Sequence, residues 1–120
     1  MKLCVQLFFT PCTSGTVPGP ELPTQLWQHA MINIKNDLTI FIGGEENPYV
    51  LLNLTLYYNH TSGNWSYGPG LIQARREHAV GTVIDEFTKE ELVLVTGGIY
   101  EFSLKSTEIL LAGKWSRGNL

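Results

Sequence analysis

The sequence predicts an all-β fold of two four-stranded antiparallel sheets, built from one unit that occurs twice. Three observations predict it. First, residue groups recur at a spacing near fifty: Gly19-Pro20-Glu21-Leu22 returns as Gly68-Pro69-Gly70-Leu71 and His29-Ala30 as His78-Ala79, both 49 residues on. Trp65-Ser66 returns as Trp115-Ser116 after 50, and Gly43-Gly44 as Gly97-Gly98 after 54. Second, the runs "LTIFIGG" and "LVLVTGG" are short, apolar and β-branched, as for strands covered on both faces. Third, no stretch carries a 3.6-residue apolar period over a useful length.

Taken in order, residues 1–15, "MKLCVQLFFTPCTSG", form a leader. One Lys, a short apolar core broken by Gln6 and small residues after it make a stunted secretory signal or the arbitrary start of a longer chain. Cys4 and Cys12 both fall in this leader, with neither the CxxC spacing of redox sites nor that of paired zinc ligands. They read as two free thiols, with one local disulfide as the alternative. Residues 16–27 read as the tail of a preceding unit, the first repeat spans 28–67 and the second 68–120.

In the first repeat, "HAMINI" and "LTIFIGG" give two strands. "NLTLYY" gives a third that alternates as if nearer solvent, and "YNHTSGNWS" a hairpin through Ser62-Gly63 into the Trp65 strand. The second repeat matches with "HAVGTVI", "LVLVTGG" and "STEILLAGKWS", whose Ala112-Gly113 is a tight turn. The longer offset of the glycine pair comes from "DEFTKEE", which replaces the shorter "KND" in a polar loop that tolerates insertion. Two glycines at the end of a packed strand call for a sharp turn with positive φ and no room for a Cβ. Trp65 and Trp115 are expected to fill the gap between neighbouring sheets, each with an indole N–H that needs an acceptor.

Composition excludes some functions. Eight basic against eleven acidic residues leave a net charge of −3, so phosphate neutralisation, and with it nucleic-acid binding, has little support. No apolar run reaches the length of a membrane-spanning helix, so no membrane insertion is expected. The chemical inventory offers no catalytic set. His29 and His78 recur with the repeat, as structural positions do and a unique active site does not. His60 sits in a turn. Asp85, Glu86, Glu90 and Glu91 lack the ligand spacing of a calcium loop, and the glycine pairs precede neither a helix start nor a Lys-Ser/Thr. No metal and no cofactor is expected. Three Asn-x-Ser/Thr triplets, at Asn53, Asn59 and Asn64, are candidate glycosylation sites. Cytoplasm and secretion both remain open, and the triplets favour the extracellular side.

A double glycine closing the second strand, aromatic residues in the third and a Trp in the fourth together resemble the kelch-repeat family. So does the connection Gly68-Pro69-Gly70-Leu71 followed by Arg75-Arg76-Glu77-His78, and the likeness covers residues 19–120. The sequence departs from the family where Leu26 stands for an Arg, and where Leu110 and Leu111 stand for tyrosine. The resemblance implies a partial kelch-type β-propeller of two four-stranded blades. Its structural motif residues here are Gly43, Gly44, Trp65, His78, Gly97, Gly98 and Trp115. It also implies a non-enzymatic module that recruits a protein partner, as adaptors do, through the loops between strands and blades. Tyr49, Arg75, Arg76, Tyr100 and Glu101 are the candidate partner-binding residues. Arg75 has an alternative role as a brace of the blade connection. A second reading is a piece of a secreted oxidase-like or carbohydrate-active propeller. A copper radical site would need a cysteine among the repeats, however, and both cysteines lie outside them. Two blades do not close a ring. The sequence therefore predicts either a fragment of a longer protein or self-assembly, for example three chains making six blades.

Overall fold

The computed structural model describes residues 19–35, 37–47 and 50–118; the leader with Cys4 and Cys12, and Tyr49, lie outside them. Every element among the described residues is a strand. Sheet 1 runs in the order β1 (Ala30–Ile34), β2 (Leu38–Ile42), β3 (Thr55–Asn59), β4 (Asn64–Tyr67). Sheet 2 repeats it with β5 (Ala79–Ile84), β6 (Glu91–Thr96), β7 (Thr107–Leu111), β8 (Lys114–Arg117). Each is an antiparallel meander in which neighbours in sequence are neighbours in space.

Local chemistry fixes the turns. Ala112 and Gly113 both have positive φ (53° and 78°) between β7 and β8, the two-residue geometry that follows the twist of the strands it joins. Between β3 and β4 the Asn59 side chain accepts from the N–H groups of Thr61 and Ser62, and Gly63 closes the turn at φ +73°. Asp85 does the same for Phe87 and Thr88 in the "DEFTKEE" loop.

The sheets pack face to face over one apolar core of Ile40, Ile42, Leu71, Val93, Val95 and Trp115. Period-two alternation explains who enters it. Ile40 and Ile42 point from sheet 1 towards sheet 2, Val93 and Val95 point back, and Leu71 arrives from the connecting segment. The backbones come closest between β1 and β5. Trp115, on the far strand, spans the remaining distance, and its indole N–H donates to Thr55 Oγ1 at 3.0 Å.

β3 differs from its sequence reading. Thr55, Leu56 and Tyr58 are all buried, so the strand is covered on both sides. The reason is tertiary: Thr55 meets Trp115 of sheet 2, while Tyr58 lies 4.8 Å from Trp65 and 4.9 Å from His60 on the other face.

Candidate protein-interaction surface

The two glycine pairs organise the surface, and the histidines explain them. φ is +65° and +97° at Gly43 and Gly44, and +64° and +90° at Gly97 and Gly98, all left-handed. A Cβ on Gly44 would meet His29 Cβ and the Trp27 carbonyl, each at 2.8 Å. One on Gly98 would meet His78 Cβ at 2.8 Å and the Arg76 carbonyl at 2.6 Å. The second glycine of each pair thus makes room for its own unit's histidine. The first makes room for the next unit's: a Cβ on Gly43 would stand 2.7 Å from both His78 Cε1 and the Arg75 carbonyl. Burial pushes the His78 imidazole down to about 4, with the charges of Arg75 and His29 adding to the effect and the backbone at Ile42 opposing it. Burial also lowers His29.

Beyond each pair the chain turns back on itself. Trp27, Glu45 and Leu51 form successive bridges, as do Arg76, Ile99 and Ser103. The two returning loops come together at one rim, where Val50, Leu51, Tyr100 and Glu101 line an open cleft. Phe102 is 67% exposed beside it. Ile72, in the connection between the sheets, is exposed as well. Of the sequence-predicted partner-binding residues, Tyr100 and Glu101 are therefore brought together. Arg76 is half-buried and committed to its neighbours. Its Nη1 donates to Gln28 Oε1 at 2.9 Å, its Nε is 3.3 Å from Glu45 Oε1, and Nη1 is 3.7 Å from Glu77 Oε1.

Arg75 does not reach the surface. It is completely buried and donates to the carbonyls of Gly97 (2.8 Å) and Ser106 (3.0 Å), to Ser106 Oγ (3.1 Å) and to Glu108 Oε2 (2.8 Å). Glu108 in turn accepts from the N–H groups of Ile72 and Gln73. Every strong partner of this guanidinium lies inside the fold, so Arg75 braces the connection between the sheets and offers nothing to a partner. Glu108 is the residue that sequence reading missed. The available signal was a lone acid in the inward register of the apolar strand "STEILL", two residues before Leu110.

The repeat makes one exchange as a pair. Arg75 corresponds to Leu26 and Glu108 to Leu56, so the second unit holds an ion pair where the first holds two leucines. Trp115 is buried, whereas Trp65 is only half-buried and packs on Phe41 and Tyr58. Among the candidate glycosylation sites, Asn64, at the start of β4, and Asn53 are both exposed. Asn53 donates to the Leu71 carbonyl, and Asn59 caps its turn. Among the described residues, no group of three or more His, Cys, Asp or Glu side chains is placed to hold a metal ion. No protein-family model and no curated protein matches the chain.

Proposed function

We propose that this chain is a non-enzymatic protein-interaction module, a two-blade part of a kelch-type β-propeller, that binds a protein partner through its loop rim. Two related meanders whose sheets pack face to face and meet most closely at their first strands support the propeller reading. The observation that carries the binding reading is the convergence of the loops after the two glycine pairs. They form a cleft of apolar, aromatic and acidic side chains on a braced scaffold. Exposed aromatic residues beside a shaped recess are the usual material of binding hot spots. Loops on a rigid frame are where binding residues concentrate.

The test compares the wild-type chain with Tyr100→Ala/Phe102→Ala as baits, followed by quantitative mass spectrometry of what each captures. Both side chains are exposed, so the variant should fold as the wild type does. A partner that binds at the rim is lost from the variant by roughly tenfold or more, as for the loss of one hot-spot residue. Identical captured sets would rule out the rim.

A further inference from the structure

Each sheet uses one face at the internal junction, and among the described residues no strand packs on its other face, although Thr39, Leu56 and Tyr58 on sheet 1 are buried within the chain. Sheet 1 contributes Ile40 and Tyr57 to the junction, and sheet 2 contributes Val93, Val95, Leu110 and Trp115. The repeat carries each set onto the outer face of the other sheet. Ile40 and Tyr57, which face one another in register, correspond to Leu94 and Ile109, which do the same on the outer face of sheet 2 and are half-buried. Val93, Val95, Leu110 and Trp115 correspond to Thr39, Phe41, Tyr58 and Trp65, and the core residue Leu71 to Leu22. These counterparts, with Met31, line a cleft on the outer face of sheet 1. Its volume of about 240 Å³ is small beside the ~300–1,000 Å³ of small-molecule sites, so a packing surface fits it better than a ligand pocket. A third feature is independent of the apolar residues. Among the described residues, the space that His78 fills beside Gly43 is open beside Gly97, where the nearest atom to an added Cβ is the Leu104 carbonyl at 3.5 Å.

We infer that copies of this chain join head to tail, the outer face of sheet 1 in one copy seating on the outer face of sheet 2 in the next, in the geometry of the internal junction. Trp65 takes the place of Trp115, and its indole N–H donates to Thr107 of the next copy as that of Trp115 donates to Thr55. His29 enters the space beside Gly97. The contact is heterologous, so it propagates until rotation closes it. Rings of about four to eight such sheets are made by about two to four chains. This inference rests on the equivalence of the two sheets and not on the loop rim.

Sedimentation velocity of the purified 120-residue chain over a wide concentration range tests it. The wild type should sediment at a multiple of 13.4 kDa. Leu94→Glu blocks the sheet 2 face, and Met31→Glu, at a half-exposed position, blocks the sheet 1 face. Each should be a folded monomer by circular dichroism, and their equimolar mixture should give a dimer and nothing larger. Gly97→Asn keeps a residue tolerant of left-handed backbone but fills the histidine space, and should also yield monomers. Tyr100→Ala/Phe102→Ala should assemble as the wild type does, which separates this contact from the rim. A wild type that is monomeric at every concentration would overturn the inference. So would single-face variants that keep the wild-type mass, or a mixture that stays monomeric.

Discussion

Gly43 and Gly97 share a backbone conformation but not their surroundings, and that contrast isolates what the double glycine is for. Both sit near φ +65°, so alanine at either should cost about 1–2 kcal/mol of left-handed strain. Only at Gly43 does the new methyl also collide with a packed imidazole and a carbonyl, adding about 1–3 kcal/mol of overpacking. Urea titrations should therefore rank Gly43→Ala well below Gly97→Ala in stability; equal losses would deny that His78 needs the space. His78 makes a second prediction at this scale. Its folded value of about 4 lies below its ordinary 6.5, so the fold favours the neutral ring. The unfolded chain then binds the proton first as pH drops. The associated stability is full above about pH 6.5 and is lost as pH falls from there through 4. It amounts to on the order of 3 kcal/mol at 1.36 kcal/mol per unit. Burial of His29 acts in the same direction. His78→Gln should flatten the pH dependence of the urea midpoint across that window.

At the scale of strands and connections, the segment 68–78 is held by one buried ion pair and anchored by one tryptophan. Removing either Arg75 or Glu108 alone strands a charge inside the protein, a loss of about 3–5 kcal/mol. The first unit holds leucines at both equivalent positions, so Arg75→Leu/Glu108→Leu should recover much of that loss. The double-mutant cycle should show a coupling of about 2 kcal/mol or more; additive losses would mean that the two residues act separately. The two tryptophans divide in the same manner. Trp115→Ala empties the gap between sheets and orphans the Thr55 acceptor, costing about 3–5 kcal/mol. In a monomeric background such as Leu94→Glu, Trp65→Ala should cost less, because its ring is already partly exposed. Both are read from chemical denaturation.

For the whole molecule, the governing fact is a pair of apolar sheet faces on which, among the described residues, no strand packs, on a slab only 21 Å thick, about the length of a six-residue strand. Units of this kind bury their faces only against neighbours. Assembly would add stability by mass action. The thermal midpoint of the wild type should accordingly rise with protein concentration, while that of Leu94→Glu should stay constant. A concentration-independent midpoint in both would place all the stability within one chain.

The sequence by itself determined the all-β class, the eight strands, their division into two units and the glycine turns. Those features follow from alternation, chain reversal and repetition, which are written locally or at fixed spacing. Tyr100 and Glu101 were legible as surface residues for the same reason, since they follow a strand that must end. Only the tertiary structure decided which strands are covered on both sides, as β3 shows. Arg75 is a brace because its partner, Glu108, lies 33 residues away in sequence and 2.8 Å away in space. Nor could a motif reveal that Gly43 serves a histidine of the next unit while Gly97, among the described residues, meets only the Leu104 carbonyl. Pairing across a sheet interface depends on how two surfaces stack, and local pattern carries no record of that.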